Sequence, residues 1–255
     1  PRHSTTSAHA AAGDEHQADH RPELNTAPDI VRNDCNGHGS APRRRVGLIA
    51  VLGCLAFVLC LPLDPMLSGL LTGIQVKNDL RRELEFLQQF GAITSVILIL
   101  LSAVLLDPGA RPLLPRFILA LAAPAAAAWV LKCLIGRGRP KLENPYLFVP
   151  PWRAHPVPLR DGSVAPLHSW EFWNSSAALL NSLPSSHTSA AFAFAALLSW
   201  RYRPLRHLVV AIAFAVGVCR LLFGSHYLSD VVAGGVLGWT VASLVLQQSR
   251  AKTRV

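Results

Sequence analysis

The sequence predicts an all-α integral membrane protein, a six-helix bundle with a disordered polar N-terminal tail. Three observations lead there. Of the residues, 51% are hydrophobic and only 15% are charged, against about 25% charged in soluble domains. The apolar residues gather in six runs separated by polar connectors. The arginines crowd into alternate connectors, as they do in the cytoplasmic loops of membrane proteins.

Residues 1–42 are rich in Ala, His, Asp and Asn and show no periodicity, which predicts a disordered tail; residues 43–255 then form the six-transmembrane-helix domain. His3, His9, His16, His20 and His38 are irregularly spaced, so a solvated tail is expected there rather than a metal site. The chain opens at Pro1 without an initiator methionine, and a processed or truncated start is expected. No charged-then-apolar leader opens it, and the first apolar run reads as a retained anchor.

The six runs cover residues 46–63, 86–106, 117–135, 188–200, 208–223 and 231–246. The first three meet the roughly 17–25 residues that a spanning helix needs. The last three are shorter and border polar motifs, which sit at membrane depth only if the protein buries them. Arg43, Arg44 and Arg45, then Arg111 and Arg116, then Arg201, Arg203 and Arg206, and finally Arg250, Lys252 and Arg254 all fall on one side if every run spans. Short loops rich in Lys and Arg stay in the cytoplasm, so both termini are expected there. The opposite side carries a loop near 64–85, a long loop near 136–186 and a tight turn near 224–230. The first loop mixes Lys77, Arg81 and Arg82 with Asp64, Asp79, Glu83 and Glu85 and has no basic excess. In the long loop, Trp152, Trp170 and Trp173 fit headgroup depth or ordinary loop packing equally well.

The net charge of +9 raises the question of nucleic acid. The arginines flank apolar runs instead of forming one basic surface, which speaks against that partner. Cys35, Cys54, Cys60, Cys133 and Cys219 match neither a zinc site nor a disulfide framework and read as small packing residues.

Ionisable residues beside apolar runs are costly and need a reason. Three clusters stand out: Lys132 to Arg139 and Pro140 at the end of the third run; Pro184-Ser185-Ser186-His187 before the fourth; and Arg220 through His226 to Asp230 between the fifth and sixth. In an alternating bundle all three lie on the outer face. Taken singly, each residue has a bland role: a snorkelling cation, a structural histidine, a helix-start aspartate. Their convergence points to an anion site. Lys132, Arg139 and Arg220 suit a phosphate. Lys132 and Arg139 share a helix face if the helix persists that far, with Pro140 marking Arg139 as its end. Ser185 reads as an N-cap, and helix-start N–H groups bind phosphate. His226 and Asp230 are four apart, hence neighbours on one helical face, and a carboxylate fixes an imidazole's tautomer, so His226 is the candidate nucleophile. His187, with no carboxylate nearby in sequence, suits a general acid.

Together, Lys132-x6-Arg139-Pro140, Pro184-Ser185-Ser186-His187 and Arg220-x5-His226-x3-Asp230 resemble the three-part signature of the type 2 phosphatidic acid phosphatase superfamily, over about residues 45–247. Two positions depart from it. Ser186 stands where the family usually has glycine, and Cys219 where it usually has serine before the arginine. The resemblance implies that His226 attacks phosphorus to form a phosphohistidine and that Asp230 orients it. It implies that His187 protonates the leaving group and then activates water, while Lys132, Arg139, Ser185, Arg220 and the backbone near Ser186 hold the phosphoryl oxygens. It gives Arg137 no fixed role. No metal or other cofactor is expected, because cationic side chains supply the electrostatic stabilisation. The expected partners are the bilayer and a lipid phosphate: undecaprenyl diphosphate, phosphatidylglycerol phosphate, phosphatidic acid or a lipid A phosphate. Two alternatives differ in class. A vanadate-dependent haloperoxidase would be soluble, against the apolar runs. An anion transporter often carries inverted repeats, and none is visible.

Overall fold

The computed structural model describes residues 41–74 and 76–248. The predicted tail therefore lies outside the described residues, apart from Ala41 and Pro42, which already belong to the first helix. Eight α-helices occur among the described residues: α1 (Ala41–Cys60), α2 (Asp64–Thr72), α3 (Asn78–Gln88), α4 (Ile93–Leu106), α5 (Leu114–Ile135), α6 (Ser186–Arg201), α7 (Arg206–Leu222) and α8 (Leu228–Gln247). Each of the six predicted runs contains a helix.

Four stretches are long and apolar enough to cross a membrane: Arg44–Leu71, Pro108–Ile135, Arg203–Leu222 and Leu228–Gln247. Their surfaces are those of a lipid-facing bundle. Leu48, Val51, Leu55, Val58, Ile118, Leu119, Phe214, Val218 and Leu244 are all exposed. Hydrocarbon solvates such side chains as well as a protein core does.

Three expectations need correction. The run 86–106 is not one helix. It breaks at a turn, Gln89–Gly91, and α3 and α4 meet at 62°, so the pair makes a fifth span only if a bent helix counts as one. A Cβ on Gly91 would lie 2.3 Å from the His187 carbonyl oxygen, so the elbow passes directly over the start of α6. The loop near 64–85 is instead largely helical. Asp64 and Pro65 open α2, an acid and a proline in the first turn, where both are favoured. The chain is also not purely α. Within the long loop, β1 (His155–Pro158) pairs antiparallel with β2 (Val164–Leu167), pairing Pro158 with Val164. The turn between them holds Asp161-Gly162, with Gly162 at φ +86°, a conformation that favours glycine.

At 16 residues, α6 is too short for a lipid-facing span, and it is the centre of the bundle. Ala191, Ala193, Phe194, Ala195 and Leu197 are buried at 1% exposure or less. It packs between α5, α7 and α8. The contact with α8 is close because α8 offers glycines four apart. A Cβ at Gly234 would lie 2.5 Å from the Ser185 carbonyl oxygen, and one at Gly238 2.0 Å from that of Ser189. Without a hydrophobic force between helices in lipid, such small-residue faces let backbones meet. Gly238→Leu should therefore lower stability in detergent by about 1–3 kcal/mol or more. Gly69→Ala, at a helical site with nothing within 4 Å of the new carbon, should be neutral or stabilising by up to roughly 1 kcal/mol. Thermal unfolding of the two purified variants checks this. Equal melting temperatures would refute the packing argument.

Candidate active site

The first cluster departs from helix before it reaches Arg139. Gly136, at φ +61°, ends α5 by donating its N–H to the Lys132 carbonyl, and a Cβ there would collide with the Val149 carbonyl oxygen. Beyond it, residues 137–139 form a strip bonded on both sides. Gly138 N–H donates to Leu147 O on one side. On the other, Arg139 N–H donates to Leu179 O, and the Arg137 carbonyl accepts from Ser182 N–H. Lys132 and Arg139 therefore do not share a helix face. The strip, not a helix, carries Arg139, and Lys132 Nζ reaches back to donate to Asn181 O at 2.6 Å.

The second and third clusters are joined through backbone. Ser185 N–H donates to Asp230 O at 3.0 Å. Ser185 occupies the N-cap position of α6, as expected, but its side chain makes no capping bond. Its hydroxyl is fully buried and accepts from Thr188 Oγ1. Ser186 is exposed at the first position of α6, where N–H groups lack intrahelical partners. His226 precedes α8, and Asp230 is the third residue inside it, so the two are neighbours across a helix start and not along a helix face.

Asp230 is the centre of a buried network. Its Oδ2 accepts from Ser182 Oγ at 2.5 Å and from Tyr227 N–H at 2.9 Å, and lies 3.7 Å from His226 Nδ1. Ser182 Oγ is also 3.4 Å from that nitrogen, bridging the two residues. Its Oδ1 accepts from Arg137 Nη1 at 2.7 Å. Arg137, fully buried, donates in addition to Ser229 Oγ, to Pro145 O and to Asp64 Oδ2 at 2.7 Å. Asp64 in turn accepts from the backbone and hydroxyl of Ser229. Burial pushes the His226 imidazole down to about 3, with Asp230 pulling the other way, so the site holds it neutral.

Around the histidines stand the cations. The charges of Arg220, Arg139 and Lys132 all act on His187, and those of Lys132 and Arg139 act on His226. Neither Arg139 nor Arg220 has an ion pair among the described residues. Arg220 Nη1 donates only to the neutral Gln88 Oε1 at 2.8 Å. The Nε atoms of both arginines are buried without a hydrogen-bond partner, a costly state unless a ligand completes it. Burial lowers Arg139 from its ordinary value, against the pull of Asp230. Cys219, where a hydroxyl contact was expected, is buried and not in a disulfide.

Sequence reasoning missed Asp64, Arg137, Ser182, Ser229 and Gln88. Their signals were slight: Asp64 reads only as one acid in a mixed-charge loop, Ser229 as the neighbour of Asp230, and Arg137 as a second arginine in Gly-Arg-Gly-Arg.

The arrangement suits the transfer of an anionic group to a neutral imidazole. The sequence model of the PAP2 superfamily matches residues 114–254, which contain all three clusters. The bacitracin transport permease protein BcrC of Bacillus licheniformis is 41% identical over 58 residues, 23% of this chain and 29% of that protein. The match thus spans less than a third of that relative's length. The crystal structure of a transmembrane PAP2 type phosphatidylglycerolphosphate phosphatase from Bacillus subtilis has the same fold, with a TM-score of 0.55 at 19% identity over 84% of this chain and 98% of that one. The chain belongs to the PAP2 superfamily.

Proposed function

We propose that this protein is a metal-independent membrane phosphatase that removes a phosphate from a lipid through a phosphohistidine on His226. One observation carries the reading: Lys132 and Arg139 act on a neutral, carboxylate-backed His226, Arg220 joins them at His187, and the buried Nε–H groups of Arg139 and Arg220 lack partners. Asp230 and Ser182 hold Nδ1, leaving Nε2 to attack phosphorus. Lys132, Arg139 and Arg220, with the N–H groups at the start of α6 near Ser185 and Ser186, neutralise the phosphoryl oxygens. His187 protonates the leaving oxygen, then draws a proton from the water that cleaves the intermediate. Both nearby carboxylates, Asp64 and Asp230, are bonded to Arg137, so the donor set favours an anion over a cation.

A lipid substrate fits the surroundings. An apolar cavity of about 890 Å³ lies along α1, α7 and α8. Its lining includes Leu221 and Leu228, which flank the His226 turn, and it has room for an acyl chain.

We further propose six crossings, with α3–α4 as one bent span and α6 as a short, protein-buried one. The α4–α5 and α6–α7 connectors meet through the Arg201–Asp107 ion pair and the Tyr202 hydroxyl. They carry Arg111, Arg203 and Arg206 at the end of the bundle away from the three clusters. The positive-inside bias then puts the active site on the extracytoplasmic face of the cell membrane, with both termini in the cytoplasm.

Three outcomes are expected. His226→Ala should reduce phosphate release from lipid phosphates by on the order of 10⁴-fold and Asp230→Asn by about 10²–10⁴-fold, measured on purified, folded protein. Near-normal turnover of His226→Ala would refute the nucleophile assignment. Activity should persist in excess EDTA and be inhibited by vanadate, a mimic of the pentacoordinate phosphoryl group. Loss in EDTA with rescue by magnesium would contradict the metal-free mechanism. In intact cells, on a background without native cysteines, Ser163→Cys should react with a membrane-impermeant reagent and Arg203→Cys should not. The opposite labelling would invert the topology.

A further inference from the structure

A second cavity adjoins the active site, polar where the first is apolar. It has a volume of about 640 Å³, and its lining includes Lys77, Arg81, Glu85, Gln88, Arg220 and Ser225. Lys77, Arg81, Glu85 and Gln88 fall at intervals of four, four and three, hence on one face of α3 and its N-cap. That face looks onto the end of α7 and the turn leading to His226. The Arg81 guanidinium carbon lies 6.0 Å from the centre of the Phe223 ring, three residues before the nucleophile. Arg220 lines this cavity and also acts on His187, so the two spaces share a cation.

The charges do not cancel. Glu85 accepts from Arg81 Nε at 2.8 Å, but the terminal nitrogens of Arg81 have no hydrogen-bond partner among the described residues, and neither does Lys77 Nζ. Asp79 pairs with Arg82 and is not part of the lining. Three cations therefore face one carboxylate. A single phosphate at His226 has Lys132, Arg139 and Arg220 already, and needs neither Lys77 nor Arg81. Lys77 and Arg81 are exposed, so water solvates them in the free protein; a sugar or glycerol hydroxyl would offer them little beyond that water, whereas an anion would. A second phosphate is such an anion. Two phosphates joined by one oxygen lie close enough for a single guanidinium, with five donors in a fork, to hold oxygens of both.

Resting on the phosphatase reading above, we propose that the cavity lined by Lys77 and Arg81 is a second phosphate subsite and that the substrate is a lipid diphosphate. The terminal phosphate sits at His226 and the lipid-linked one against Lys77 and Arg81. His226 Nε2 forms a bond to the terminal phosphorus, and the bond from that phosphorus to the bridging oxygen breaks. The electron pair stays on that oxygen, which His187 protonates, leaving a lipid monophosphate whose remaining charge Lys77 and Arg81 stabilise. Water then attacks the phosphohistidine, the N–P bond breaks, and inorganic phosphate leaves.

The test is kcat/KM of the full chain on farnesyl diphosphate and farnesyl monophosphate, which share one tail, and on phosphatidylglycerol phosphate and phosphatidic acid. The variants are Lys77→Ala, Arg81→Ala and Arg81→Lys. The wild type should prefer the diphosphate. Each alanine should lower kcat/KM for the diphosphate by about tenfold or more beyond any loss on the monophosphate, the effect of one charge-assisted hydrogen bond. Arg81→Lys should recover part of it. Turnover of the monophosphate reports that the variants are folded. Equal losses on both farnesyl substrates, or none on either, would overturn the subsite while leaving the phosphatase reading intact. A loss confined to phosphatidylglycerol phosphate would assign the cavity to the phosphodiester that lies one glycerol away from that lipid's terminal phosphate, and would overturn the diphosphate assignment. No phosphate release from any of the four lipids by the wild type would overturn the phosphatase reading itself.

Discussion

Arg137 is buried between Asp64 and Asp230, with its guanidinium over the Tyr227 ring at 4.7 Å and the Phe148 ring at 5.5 Å. One side chain thereby ties together four parts of the chain that are remote in sequence: the start of α2, the strip after α5, the loop at Pro145 and the start of α8. Removing one member of such a buried pair costs on the order of 3–5 kcal/mol, because it strands a charge out of water. The network carries one cation and two carboxylates. Of the two, Asp230 is the carboxylate that faces His226.

The rest of the site is assembled on that tie. Asp230 accepts from Ser182 and Tyr227, its carbonyl accepts from Ser185 N–H, and Ser182 N–H donates to the Arg137 carbonyl. The start of α6 is therefore fixed from two sides, and His187 with it. The glycine face of α8 allows this, since a side chain at Gly234 would push Ser185 away from Asp230. Packing in the bundle and geometry in the site are one constraint.

Electrostatics divides the end of the bundle that carries the three clusters into two regions. Carboxylates gather beneath His226, while Lys132, Arg139 and Arg220 stand around the two histidines without carboxylate partners among the described residues. Cations held apart in a poorly hydrated site repel one another, and an anion relieves that repulsion. The elbow between α3 and α4 extends the cationic region, because it sets Gln88 against Arg220 and turns the polar face of α3 toward the same mouth.

The sequence alone determined that the chain is helical and rich in membrane-length apolar runs. It also determined which lysine, arginines, histidines and aspartate stand at the ends of those runs. Apolar run length and the cost of charge beside it are local properties, so 117–135 and 231–246 were legible within a few residues of α5 and α8. The tertiary structure decided the rest. The 86–106 run looked continuous because nothing local marks Gly91 as a point where backbone must pass His187. The hairpin at 155–167 escaped because its proline-rich strands hide the alternation around Asp161-Gly162. Arg137 looked like one more cation beside Arg139, yet one is paired with two carboxylates and the other is left without one. That difference depends on Asp64, 73 residues away, and no pattern along the chain encodes which of two neighbouring arginines a distant carboxylate will meet.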